Sequence, residues 1–285
     1  MSATELLGCA APAKLNLFLH VTGRRSDGYH LLQTAFQLID YADTLDFYRT
    51  STGEIQRLNE VQGVAADDDL VVRAARLLQS QTQCKFGAAI RLHKQLPMGG
   101  GLGGGSSDAA STLIALNHLW QTGLTRRELM ALGLQLGADV PFFIFGQNAF
   151  AEGVGEALQA LSTPKRYFVV IEPGVHVPTP IIFKDQGLTR NTPAIRIADF
   201  PSDAAANWKN DLQAVASRLF PEVDKALVAL AKYGNAKMTG SGACVFCAFA
   251  TLDAAQQALQ ELSNDWKAWI AKSIDFHPMR ELLND

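Results

Sequence analysis

Between residues 13 and 21 the chain alternates. Leu15, Leu17, Leu19 and Val21 fall on one face, and Lys14, Asn16, Phe18 and His20 on the other. This two-residue period predicts a half-buried strand with two polar groups, Lys14 and Asn16, side by side on its open face. Residues 23–28 form a polar turn ending in Asp27-Gly28, a hairpin signal, and a second extended run covers 31–41. Asp67, Asp68 and Asp69 precede a segment of helical spacing from Leu70, where acidic residues suit the positive end of a helix dipole. Residues 88–92 alternate as a strand, and 107–120 predict a helix that packs Ala110, Leu113, Ile114 and Leu116 inward. Thr125 to Glu128 matches a capping box that opens a helix ending at Gly137.

Farther on, residues 142–145 are uniformly apolar and predict a buried strand. Ser162-Thr163-Pro164 is a polar break that predicts a boundary between two domains, 1–162 and 163–285. A strand over 167–172, an extended Pro178-Thr179-Pro180 segment and one or two helices between 203 and 233 follow. A strand over 243–250 and a helix near 254–262 complete the pattern. Strands and helices alternate throughout, which places the fold in the α/β or α+β class.

Composition narrows the function. The chain has 285 residues, 48% of them hydrophobic, enough for a substantial core. The net charge of −3 lacks the basic excess of a nucleic-acid binder. No run of eighteen apolar residues suggests a membrane span. The start of the chain has no basic stretch ahead of its short apolar run, so no secretory signal is expected. Four cysteines do not make a disulfide scaffold and point to a reducing, cytoplasmic setting. Cys244 and Cys247 form a CxxC, but no second pair completes a zinc site. On a strand, residues three apart face opposite ways, so both are expected in the core.

The chemistry concentrates in Pro97-Met98-Gly99-Gly100-Gly101-Leu102-Gly103-Gly104-Gly105-Ser106-Ser107-Asp108. Six glycines in seven residues let the backbone approach a ligand closely, and the loop opens onto a helix start with unpaired N–H groups. That combination suits a phosphate. Ser106 and Ser107 could cap the helix or contact phosphate. No Lys follows the glycines, which excludes a Walker loop. Gly99, Gly101 and Gly104 satisfy GxGxxG formally, yet no acidic residue follows about 20 positions on, as a dinucleotide fold needs.

The loop resembles the phosphate-binding loop of the GHMP kinases. Ala11-Pro12-Ala13-Lys14-Leu15-Asn16-Leu17, Leu136-Gly137-Ala138-Asp139-Val140-Pro141, Asn210-Asp211-Leu212 and Thr239-Gly240-Ser241-Gly242-Ala243 extend the resemblance over nearly the whole chain. Gly23 to His30 and Pro178-Thr179-Pro180 are similar to a member that acts on a cytidine diphosphate-linked methylerythritol. The resemblance implies a two-layer α+β fold with two domains and an active-site cleft between them. It implies ATP-dependent phosphorylation of an alcohol on that small molecule, with Mg²⁺ arriving on ATP and its protein ligands left open. It assigns ATP to Pro97 through Ser107, the base or hydroxyl-orienting role to Asp139, and the cation to Lys14. It assigns the acceptor to Asn16, Tyr29, His30, Thr179 and Phe183, with the aromatic residues and His30 around cytosine. The other five histidines have no ligand spacing, and no residue is assigned to a metal. One departure stands out: Asp69 occupies the place of a family Asn that contacts adenine. Ionised Asp only accepts hydrogen bonds, whereas Asn also donates. The sequence sets no oligomeric state.

Overall fold

The computed structural model describes residues 3–200 and 208–285. The first two residues, and residues 203–207 where a helix was expected to begin, lie outside the described residues. In chain order the elements are β1 (Glu5–Arg24), β2 (His30–Thr50), β3 (Ile55–Arg57), α1 (Leu70–Thr82), β4 (Gly87–His93) and α2 (Gly104–Trp120). Then come α3 (Arg126–Leu136), α4 (Val140–Phe145), β5 (Ala149–Glu152), β6 (Ala157–Ala160), β7 (Tyr167–Glu172) and α5 (Thr179–Lys184). The last are α6 (Gln213–Leu219), α7 (Pro221–Ala231), β8 (Lys237–Met238), β9 (Val245–Phe249), α8 (Leu252–Leu262) and β10 (Lys267–Ile274).

The strands run β3-β4-β2-β10-β7-β9-β8, with β1 and β5 also on β2 and β6 on β5. All pairs are antiparallel except β3 with β4. β10 joins the two halves, because it pairs with β7 along its length and with β2 at Ser273 and Ile274. The class is mixed α and β, as the alternation implied.

β1 runs through all three hydrophobic clusters. Cys9 and Ala11 enter the first, with β2, α1, α2 and α4; Ala13, Leu15, Leu17 and Phe18 enter the second, with Phe168 and Phe246. Leu19 and Val21 enter the third, with β7, α6 and α7. Each fully buried Leu or Phe side chain contributes about 1.5–3 kcal/mol. The expectation of an open face on β1 is therefore corrected. Lys14 and Asn16 are 3% and 2% exposed, and Phe18 and His20 are also buried, because the glycine loop lies over Lys14 while Thr239 and Trp208 of the second half lie over the others. Beyond β10, Met279 and Leu283 return to the first cluster.

Two further expectations change. Residues 142–145 are helical and form most of α4, with Pro141 in its first turn and Gly146 left-handed at its end. A short apolar run carries no periodicity to separate buried helix from buried strand. Thr179 and Pro180 open α5 and are not extended, since Pro is well tolerated in a first helical turn. The capping box at Thr125–Glu128 is present, with both reciprocal bonds. Cys244 and Cys247 are both fully buried, in different clusters. Burial raises both thiols, Cys247 to about 11.

His277 sits just after β10, 2% exposed. Its Nδ1 accepts from the Met279 N–H at 3.1 Å, and its Nε2 lies 3.4 Å from the Ser111 hydroxyl. Burial lowers its pKa from 6.5 to about 3. Between those values the unfolded chain binds a proton that the folded chain does not, so stability falls as pH falls through 6.5. From that point down to pH 5 the expected loss is about 2 kcal/mol. Urea unfolding across this range measures it, and His277→Gln should flatten the profile.

Candidate active site

The glycine loop leaves β4 and is docked on β1 and on the 239–244 turn. The Lys14 N–H donates to the Leu102 carbonyl at 2.9 Å, and the Cys244 N–H to Gly100 at 3.1 Å. The Thr239 hydroxyl donates to the Gly101 carbonyl at 3.2 Å. Gly101 has φ +74°, and a Cβ there would lie 2.2 Å from the Thr239 carbonyl oxygen. Gly103, at φ +76°, would press a Cβ onto the Phe143 ring at 2.9 Å. No side chain fits at either place, so the backbone can lie against its neighbours only as glycine.

Gly103 is the N-cap of α2 and offers no side-chain cap. The serines, for which capping and phosphate contact were both open, do not cap the helix and lie inside its first turn. The Ser107 hydroxyl is buried and donates to the Pro12 carbonyl at 2.7 Å. Gly104, Gly105 and Ser106 start the helix, where N–H groups lack intrahelical acceptors. Glycine at two of these positions leaves the amides uncovered for an anion.

Two cavities meet at this helix start. One, of about 360 Å³, is lined by the loop from Pro97 to Ser106 together with Asp69, Lys94 and Asp108. The other, of about 760 Å³, is lined by Lys14, Asn16, Asp139, Tyr29, His30 and Phe183, among others. Ser106 lines both. It marks where a group held by the loop would meet a group held in the larger cleft.

At that junction the Lys14 ammonium lies 3.7 Å from the Asp139 carboxylate and donates to Asn16 Oδ1 at 2.5 Å. Burial lowers the Lys14 pKa, and Asp139 pulls it back up. Asp139 stands at the N-cap position of α4 but accepts no capping bond. The Asp139 side chain is 36% exposed and faces the cleft. Asn16 lines the cleft and is also held from behind: its amide donates to Thr34 at 2.8 Å, and its oxygen lies 3.4 Å from the Thr239 hydroxyl. It orients the lysine from within the core. Nothing in an alternating strand pattern distinguishes a solvated amide from one that holds a buried cation.

The remaining residues expected to bind the acceptor lie along the same cleft. His30 packs its ring on Phe183 at 4.9 Å, and Tyr29 projects beside them, 66% exposed. Thr179 also lines it, its hydroxyl 2.6 Å from that of Ser241 in the second glycine turn. All eleven residues from Pro97 to Ser107 lie in or at the loop, and all but Ser107 line the smaller cavity.

Sequence reasoning missed two charge clusters around the loop. Lys94 bridges Asp108, at 2.8 Å, and Asp43, whose other oxygen takes the N–H groups of Gln95 and Leu96. Burial raises the Asp108 pKa, Lys94 opposes it, and Asp43 adds to the rise. Asp108 is thus part of the loop's anchorage. Asp69 caps α1 by accepting from the Val71 N–H at 2.8 Å and pairs through its second oxygen with Arg57. Both oxygens of this departing residue are committed within the protein. Neither Arg57 nor Asp43 could have been found from sequence, because each lies remote in the chain from what it holds.

Residues 69–147 match the model of the GHMP kinases N terminal domain, and residues 190–268 that of the GHMP kinases C terminal. A 4-diphosphocytidyl-2-C-methyl-D-erythritol kinase of Janthinobacterium sp. (strain Marseille) is 62% identical, over 96% of this chain and 96% of the relative. One from Azoarcus sp. (strain BH72) is also 62% identical, over 98% of each. A crystal structure of a 4-(cytidine 5'-diphospho)-2C-methyl-D-erythritol kinase superposes with a TM-score of 0.82 at 36% identity, covering 94% of this chain and 98% of that one. A mevalonate kinase structure shares the fold at a TM-score of 0.64 and 17% identity, over 95% of this chain and 100% of that one. With both domain models matched in order and full-length relatives at this identity, the chain belongs to the GHMP kinase family.

Proposed function

We propose that this protein transfers the γ-phosphoryl group of ATP to the 2-hydroxyl of 4-diphosphocytidyl-2-C-methyl-D-erythritol, a step of the non-mevalonate isoprenoid route. The observation that carries the reading is the Lys14–Asp139 pair at the junction where Ser106 lines both cavities. The loop amides and the start of α2 hold the triphosphate. Asp139 accepts the proton of the attacking hydroxyl or fixes its direction, and Lys14 offsets charge on the oxygen. The hydroxyl oxygen bonds to the γ-phosphorus as the bond to the bridging oxygen breaks, and ADP leaves. Residues 1–162 carry the loop and the reacting pair; residues 163–285 supply Thr179, Phe183 and the Gly240–Gly242 turn.

Among the described residues no group of three or more His, Cys, Asp or Glu could hold a metal ion. Mg²⁺ arriving on ATP would lie near Ser106, the residue that lines both cavities, and would supply charge neutralisation on the phosphates. No helix among the described residues is long and apolar enough to cross a membrane. The partner that this reading requires is a small molecule.

Purified protein assayed with Mg-ATP and the cytidyl acceptor, beside mevalonate and homoserine, tests the reading. Turnover of the cytidyl acceptor alone supports it; preference for either small alcohol overturns it. His30→Ala is expected to raise the KM for the cytidyl acceptor on the order of tenfold, with the KM for ATP unchanged, as loss of one base contact requires. Steady-state kinetics with each substrate varied in turn decides this.

A further inference from the structure

Arg190 follows α5, and its guanidinium folds back over the end of that helix. Nη2 donates to the carbonyls of Phe183 and Asp185 at 2.9 and 2.8 Å, and Nη1 to that of Leu188 at 3.1 Å. Its Nε–H points at Nε2 of His30, 3.1 Å away. A guanidinium has donors only, and it stays protonated. The His30 Nε2 must therefore offer a lone pair, and the ring's single proton must sit on Nδ1. The surroundings also keep that ring uncharged: burial, then the nearby charges of Arg190 and Arg24, lower its pKa.

We propose that Arg190 is a positioning residue that holds His30 in its Nδ1–H tautomer, so that the acceptor cleft presents a fixed hydrogen-bond donor to the nucleobase. The proposal rests on the reading of His30 as a base contact given above. Its chemistry bears on which base is taken. Cytosine carries acceptors at both N3 and O2, whereas uracil carries a hydrogen at N3. A donor that cannot become an acceptor favours the first and opposes the second at that edge. The same side chain ties down the Phe183 carbonyl, so one residue sets both the stacking ring and the polar contact beside it.

The test uses the full chain with ¹⁵N-labelled histidine near neutral pH. The expected signal for His30 is an unprotonated Nε2 and a protonated Nδ1, the reverse of the form that prevails for free imidazole side chains in water. A protonated Nε2 would overturn the proposal, and this reading needs no variant to fold. Arg190→Gln, whose amide can donate or accept, should release the tautomer. It should raise the KM for the cytidyl acceptor about tenfold while leaving kcat and the KM for ATP in place. Equal weakening of both substrates would show a merely structural role and overturn the assignment. His30→Ala separates the two levels. An unchanged KM for the cytidyl acceptor would remove His30 from base recognition and with it the donor's purpose, while the label would still report whether Arg190 sets the tautomer.

Discussion

Asp139→Asn is expected to lower kcat by about 10²–10⁴-fold while the KM for ATP stays within about twofold. The substitution keeps the size and polarity of the side chain but removes the group able to take a proton from the hydroxyl. Folding should survive, because Asp139 accepts no capping bond from α4 and its side chain is partly exposed. ATP affinity should survive as well, because Asp139 lines the larger cleft and the glycine loop lines the smaller one. Steady-state kinetics beside a direct nucleotide-binding titration makes the split visible. A kcat near that of the parent would remove Asp139 from the chemistry, and a parallel loss of ATP binding would mean that the cavities are not separate in function.

Lys14→Met is the companion experiment, with opposite signs for activity and stability. Loss of the cation facing the attacking oxygen should cost about 10²–10³-fold in kcat. Stability should hold or rise. The ammonium is buried, its pKa is lowered by desolvation, and Asp139, 3.7 Å away, recovers only part of that cost. The sign follows from proton binding. The folded-state pKa lies below the unfolded one, so between the two the unfolded chain holds more protons and the parent gains stability as pH rises. The Tm advantage of Lys14→Met over the parent should therefore be greatest near neutral pH and shrink toward pH 10. Thermal melts of both proteins over that range check it. A variant that is less stable at every pH would mean that Lys14 braces the fold through Asn16 and Phe36 rather than straining it.

The glycine loop shows how legible the site was. Nearly side-chain-free sequence ahead of a helical segment has few uses other than close approach to an anion, and the loop does lie against the start of α2. The serines illustrate the limit. Their pattern allowed either capping or phosphate contact, but the cap is Gly103, and Ser107 is drawn inward by the Pro12 carbonyl of β1. That acceptor is 95 residues away in the chain. His30 and Phe183 were named by resemblance, yet Arg190, which contacts both, carried no local signal.

The local pattern alone determined the elements whose periodicity or capping is strong: β1, the Asp27-Gly28 hairpin, β4, β7, α2 and the capped α3. These depend on neighbours within a few residues, which the chain carries with it. Only the tertiary structure decided that both faces of β1 are buried, that the run after Pro141 is a helix, and that Lys14, Asn16, Thr239 and Asp139 converge at one point. Burial and polar pairing arise between segments as distant as Asn16 and Thr239, 223 residues apart. Their sign for any one polar side chain is set by what covers it, and no local pattern records that.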